Sequence, residues 1–344
     1  MNDHSETFPS PYDPSELSSY QVVAGKVCLS LADFLVYCAN SLGKPHAPLS
    51  ESQALISVRD AFLDAGLNAL KSATCSSSWV QVGLEVGREV PYIELYRRVA
   101  CTARELLEDS SASNFFFMHK PPGMRVRFET TVAGRHRLKE ALYQRLSVWQ
   151  SEGVVEHVVP GVYEPEYHLF GGPVSMLSVH ELFTIDSLTW LDFHVLTASE
   201  ESGPTWALSL VMLRALFTGL HITDWEDLDV WDRIRRKTGR RLPGEALAQA
   251  EFATVAADIQ SQWFRHQALL DELSPQGQRI AQSYQQAADP VTARWRSEYF
   301  TTRQAYIGPR EAAAFFTIFH WNRAALPLTR QALLTEALAA RERI

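Results

Sequence analysis

The spacing of apolar residues changes character along this chain, and that change restricts the fold more than any other feature. Val80, Val82, Leu84 and Val86 alternate with smaller or polar residues, as a half-buried strand requires. Pro91 then opens a helix that runs to about Glu108, with Tyr92, Tyr96, Val99, Ala103 and Leu106 on one face. Asn114–His119 and Met124–Thr130 read as two strands joined by the turn residues Lys120-Pro-Pro-Gly123. A helix from Arg135 to Gln150 leads into an extended stretch, Val154–Val162, interrupted at Pro160-Gly161. After Pro173 the helical period takes over, in segments 174–196, 205–221, 224–237, 245–272, 275–287 and 310–342. The predicted fold is α+β, a mixed β-sheet centre followed by a helical C-terminal half.

Upstream of the first long strand, Leu29–Asn40 and Glu51–Lys71 carry apolar residues at helical spacing, with Ala54, Val58, Phe62 and Leu63 on one face. The expected organisation is therefore a tail over 1–19, an N-terminal helical layer over 20–78 and a catalytic domain over 79–344. The first 19 residues are polar and rich in Pro and Ser, without the basic-then-apolar order of a signal peptide, and read as disordered. Ala207–Leu220 is too short to span a bilayer and carries Arg214, so no membrane association is expected and the cytoplasm is the default location.

A net charge of −8 argues against wholesale attraction to nucleic acid, so any anionic partner must meet a local basic patch. The cysteines, Cys28, Cys38, Cys75 and Cys101, form no CxxC pair and are expected to be reduced and mostly buried. No GxxxxGK[ST] or GxGxxG follows a strand, which removes the usual phosphate cradle. His180-Glu181 lacks the second histidine of a zinc helix, and Gly171-Gly172-Pro173-Val174-Ser175 lacks the final glycine of a nucleophile elbow. Neither a metal nor an organic cofactor is expected.

Several segments, in order, carry a resemblance. They are Trp79 with its strand, Asn114-Phe-Phe-Phe-Met118 leading to Met124-Arg-Val-Arg-Phe128, and Tyr163-Glu-Pro-Glu166 with Phe170-Gly-Gly172. Glu181-Leu-Phe183 with Asp186-Ser187 follows, and Asn322-Arg323 stands near the end. Together they resemble the thiopeptide-type bacteriocin biosynthesis domain, which also forms the elimination domain of class I lantibiotic dehydratases. The resemblance covers roughly residues 79–330 and implies an elimination-domain-like fold.

It also implies where the chain departs from a dehydratase. The family's eliminating arginine, just before the aromatic-Gly-Gly element, is replaced by Leu169, and its catalytic histidine, four residues before the Asn-Arg pair, by Ile318. A large glutamylating module does not fit in the 78 residues upstream. The expected activity is that of a standalone thiopeptide pyridine synthase. Such an enzyme acts on a ribosomal precursor peptide, an N-terminal leader with a dehydrated, azole-containing core. It joins two dehydroalanines by a formal aza-cycloaddition, then expels water and the leader. The alternatives are another small peptide-modifying relative, eliminating or tRNA-dependent, and a non-catalytic precursor-binding scaffold. Oligomeric state is left open, a homodimer among the options.

Such chemistry needs positioning and proton transfer rather than a covalent nucleophile. The donors concentrated before the Asn-Arg pair, Ser297, Tyr299, Tyr306 and His320, are the candidate catalytic groups. Arg125 and Arg127, alternating on one strand, together with Glu166, His168, Trp295 and Arg323, are the candidates for holding substrate. Trp231–Arg241 is the one basic run, and Arg235, Arg236, Arg240 and Arg241 are the candidate dock for an acidic leader, against the simpler reading of a solvated helix end.

Overall fold

The computed structural model describes residues 19–42, 52–74, 77–197 and 203–340. The chain divides into two units, Met1–Cys75 and Ser76–Ile344. In the first, β1 (Gln21–Ala24) and β2 (Val27–Ser30) form an antiparallel hairpin whose Gly25 adopts φ +64°, the left-handed conformation that a two-residue loop demands. Ser30 then caps α1 (Leu31–Ser41), its hydroxyl accepting the Asp33 N–H at 3.1 Å, and α2 (Gln53–Thr74) follows. Val22, Ala24, Phe34, Cys38 and Leu55 make the core. The predicted all-helical layer is thus corrected: strands of four residues are too short for alternation to register, and Leu29 belongs to β2 rather than to the helix. The expected tail, through residue 18, and Cys75 lie outside the described residues. The three described cysteines are unpaired thiols, but only Cys38 is buried.

The second unit is built on an antiparallel sheet in the order β4-β5-β3-β6, from β3 (Ser77–Val86), β4 (Asn114–Lys120), β5 (Gly123–Thr131) and β6 (Val155–Gly161). Helices α3 (Tyr92–Glu108) and α4 (Arg135–Ser151) connect these strands, their buried faces Leu95, Val99, Ala103 and Leu106, and Leu138, Leu142, Leu146 and Trp149. Pro160 sits in β6, an edge strand, where its missing N–H costs no ladder bond inside the sheet.

After the short α5 (Tyr167–Phe170) come α6 (Pro173–Thr197), α7 (Thr205–Gly219) and α8 (Glu226–Thr238). The predicted helix over 245–272 is three pieces, α9 (Gly244–Leu247), α10 (Ala250–Phe264) and α11 (His266–Asp271). The predicted helix 275–287 instead continues through Pro290 as α12 (Pro275–Trp295) and ends in a π-helical turn, Arg296–Phe300. The predicted helix 310–342 breaks after α13 (Pro309–Arg323), where Ala325 takes φ +53° and Pro327 starts α14 (Leu328–Ala339).

What joins sheet to helices is the free edge of β4. Its outward N–H groups recur every second residue, and each meets a helix side chain. Phe115 donates to the Thr184 hydroxyl at 3.0 Å, Phe117 to Ser187 at 3.3 Å and His119 to the Asn322 Oδ1 at 2.7 Å. The Asn322 amide returns a bond to the His119 carbonyl at 2.9 Å. An edge that would otherwise recruit another strand is thus closed from α6 and α13. Removing the Asn322 side chain strands both backbone groups of His119, so Asn322→Ala is expected to lower unfolding stability by about 2–4 kcal/mol. Urea denaturation of the variant checks the magnitude, and unchanged stability refutes the clamp.

Candidate active site

Residues opposed in an antiparallel register lie side by side on one face of the sheet. The register Gln81↔Arg127↔Phe116 and Gly83↔Arg125↔Met118 therefore gives Arg125, Arg127, Gln81 and Phe116 a common face. Arg127 is only 5% exposed. Its Nε donates to Gln81 Oε1 at 2.7 Å, and its guanidinium lies 4.8 Å from the Phe116 ring centroid and 4.9 Å from that of Tyr163. Burial lowers its pKa to about 10, with the nearby Arg125 and Arg323 charges acting in the same direction, so it stays cationic at neutral pH. Arg125 is half-buried beside it.

Tyr163 ends the strand region that β6 begins and turns its hydroxyl to two partners, Glu166 Oε2 and His180 Nε2, each at 3.0 Å. A phenol has one proton to give. Glu166 accepts it, and the His180 Nε2–H donates back to the phenol oxygen. Burial, together with the Arg127 charge, drops the His180 pKa to about 3, which leaves a neutral imidazole with that single ring proton. Burial and then Glu166 push the Tyr163 hydroxyl well above its ordinary range. Trp79 packs on both, 4.9 Å from Tyr163 and 4.5 Å from His180. The arrangement is a proton relay, His180 to Tyr163 to Glu166, beside a caged guanidinium.

From Glu166 the chain makes the single turn α5, a rise of about 7 Å, to Gly171 and Gly172, both left-handed at φ +89° and +97°. Glycine is required at 171 for a second reason. A Cβ there would stand 1.9 Å from the Tyr299 hydroxyl. That hydroxyl accepts the backbone N–H groups of Tyr306 at 3.2 Å and Ile307 at 3.4 Å, so its oxygen is occupied and its proton remains to be donated. Burial raises the Tyr299 pKa against the lowering effect of those two bonds, and the hydroxyl stays protonated. Tyr306 is exposed, and a Cβ on Gly172 would come 3.6 Å from its hydroxyl. The π turn after α12 is what aims Tyr299 here.

Other predicted residues are placed differently. His320 and Arg323 have no exposed surface: His320 Nδ1 donates to Asp186 Oδ1 at 2.7 Å and Arg323 Nε to Oδ2 at 2.5 Å. Burial alone would raise the Asp186 pKa, but His320 and Arg323 outweigh it and hold the carboxyl below its usual range. Trp295 is likewise enclosed, its indole donating to Ser175 at 2.7 Å. The expectation that Trp295 and Arg323 touch substrate directly meets side chains already committed to the core. Ser297 is exposed and bonds the Arg294 carbonyl, and His168 is exposed on α5. Leu169 packs against the core, while Ile318 lines a cleft of about 690 Å³.

The basic run is largely matched by acids. Asp232 pairs with Arg235 at 2.5 Å and with Arg236 at 2.7 Å, and Arg241 bonds the Arg235 carbonyl. Arg240 alone of the four lines the cleft. Among the described residues no cluster of three His, Cys, Asp or Glu side chains is placed to hold a metal ion, and no helix is long and apolar enough to cross a membrane. Sequence reasoning missed Gln81 and the place of His180 beside Tyr163, because only strand register and helix packing bring them to this cluster.

His180 is buried and His194 half-buried, and loss of hydration lowers their pKa values to about 3 and about 4. In the unfolded chain an imidazole takes a proton near pH 6.5, so as pH falls below that value the unfolded state binds protons that the folded state refuses. Stability is expected to be full above about pH 6.5 and to drop by about 2 kcal/mol per imidazole on going to pH 5. Denaturation midpoints at the two pH values, with His194→Gln reducing the difference, check the sign.

Three comparisons bear on this geometry. No curated protein matches the chain. In fold it is similar to the tRNA dependent lantibiotic dehydratase MibB from Microbispora sp. 107891, with a TM-score of 0.57 and 17% identity over 76% of this chain, which spans 27% of that one. The family model described as lantibiotic biosynthesis dehydratase C-term matches residues 79–341, most of the chain and all of the site just described. The chain belongs to the lantibiotic dehydratase C-terminal family.

Proposed function

We propose that this family member is a pyridine synthase that closes a ring between two dehydroalanines of a leader-bearing precursor peptide. The observation that carries the reading is the Tyr299 hydroxyl, with two backbone N–H groups on its oxygen and its own proton free beside the Gly171-Gly172 turn. Leu169 and Ile318, at positions where the resemblance leads one to expect an eliminating arginine and histidine, support it, because neither can donate or accept a proton.

In the ring closure one dehydroalanine supplies a carbon–carbon double bond. The other, as the iminol tautomer of its amide, supplies the azadiene. Two carbon–carbon bonds form, giving a hydroxylated ring. Loss of the hydroxyl as water and of the leader as its carboxamide leaves the aromatic pyridine, with no net oxidation. Bringing two remote residues of a flexible chain together is the main barrier, and fixing both contributes on the order of 7–11 kcal/mol. In this assignment Arg125 and the outer nitrogens of Arg127 hold substrate carbonyls. Tyr299 protonates the departing hydroxyl, and the Glu166 end of the relay takes the amide proton during tautomerisation.

Removal of the Tyr299 hydroxyl is expected to cut single-turnover conversion of a bis-dehydroalanine, leader-bearing peptide by about 10²–10⁴-fold with little change in leader affinity. Mass spectrometry for the pyridine macrocycle and the released leader carboxamide reads the reaction, and circular dichroism reports whether Tyr299→Phe folds. Wild-type protein that yields no macrocycle from such a peptide overturns the proposal. A near-normal Tyr299→Phe rate removes the acid assignment.

A further inference from the structure

The cleft beside Ile318 lies where the β4–β5 hairpin meets α3, the end of α13 and the start of α14. At about 690 Å³ it has the size of a ligand pocket. Its walls are apolar and aromatic, including Tyr92, Tyr96, Phe319 and Leu328.

Its neutral polar groups are almost all spent on one another. Tyr96 donates its hydroxyl proton to His119 Nε2 at 2.8 Å, and His119 Nδ1 donates to the Asn322 carbonyl at 2.7 Å. The Asn322 amide is clamped on the His119 backbone. Gln331 accepts from Arg240 Nε at 3.1 Å and donates to the Leu326 carbonyl at 2.7 Å. The lining residues with bonding capacity left are chiefly cationic, Lys120 and Arg240, whose Nε and Nη1 are committed to Gln331 and the Thr238 carbonyl while Nη2 is not; Tyr92 adds a hydroxyl. On a chain of net charge −8, no Asp or Glu lines the cleft among the described residues.

We infer that this cleft is a docking site for an acidic peptide segment, taking an apolar side chain between Tyr92, Tyr96 and Phe319 and a carboxylate at Lys120 and Arg240. The inference rests on the peptide-modifying reading above and adds to it a place and a chemistry for the anchor. A long flexible substrate gains from such a remote hold, because it raises the local concentration of the reacting segment. Arg235 and Arg236, which share Asp232 while Arg235 also pairs with Glu336 at 3.7 Å, lie outside it.

Fluorescence polarisation on the full chain tests this with a labelled synthetic peptide in which Leu and Phe alternate with Asp and Glu, against Asn/Gln and Lys versions of the same length. The acidic peptide is expected to bind best and to weaken with added salt. Lys120→Glu and Arg240→Glu should each raise its Kd by at least about tenfold, and together shift preference to the Lys peptide. Arg279→Glu, on an exposed helix turn, should change nothing. Lys120 is exposed at the hairpin end, so its variant reports on binding even if Arg240→Glu folds poorly. Equal binding of acidic and amide peptides, or indifference to both charge reversals, overturns the inference. Turnover on the same preparations separates the two claims. Ring closure unaffected by either reversal removes the dock and leaves the cyclase. Charge-dependent binding without ring closure by wild-type protein keeps the dock and removes the cyclase.

Discussion

The buried carboxylate of Asp186 is the constraint on which the second unit depends. It sits on α6 and takes bonds from His320 and Arg323 of α13, with no exposed surface on any of the three. Three such groups out of water carry a large desolvation cost, recovered only when each is held in one geometry. That requirement fixes the rotation of α13 against α6. Once it is fixed, Asn322 points at the β4 edge, while the last carbonyls of α13, which no residue of its own helix can satisfy, take bonds from outside. His119 reaches the Asn322 carbonyl at 2.7 Å and His194 that of Arg323 at 2.8 Å. The Asn-Arg pair thus serves the joint between sheet and helices.

Much of the fold was legible because apolar period and turn chemistry agree. The four long strands, the hairpin at Lys120-Pro-Pro-Gly123 and helices α3, α4 and α6 lie within a few residues of where the pattern puts them. The failures have physical causes. Pro290 looks like a stop, yet α12 passes it to Trp295. Ala324–Pro327 reads as continuous helix until Ala325 adopts a left-handed backbone that its composition does not advertise. The β1–β2 hairpin was invisible because four residues carry only two alternations.

The site was less legible, because its members are contributed by long-range pairing. Arg127 could be nominated from its strand, but its cage of Phe116, Tyr163 and Gln81 follows from register. Tyr299 could be nominated from a run of donors, but a π turn and a glycine without Cβ decide that its hydroxyl meets the Gly-Gly turn. The same run nominated His320, and the burial that completes the Asp186 cluster removes it from any surface.

The electrostatics of the site separate the two uses of its tyrosines. A phenol driven upward in pKa by burial is a poor base and keeps its proton at neutral pH, so it acts by donating. Both Tyr163 and Tyr299 are in that condition. They differ in where the proton goes. That of Tyr163 is committed to Glu166, so this residue can only pass charge along a chain. That of Tyr299 has no protein acceptor among the described residues, since both of its bonds are received through oxygen. An enclosed donor with an uncommitted proton is costly to keep unless something arrives to take it. The group that takes the proton in the proposed reaction must therefore come with the substrate.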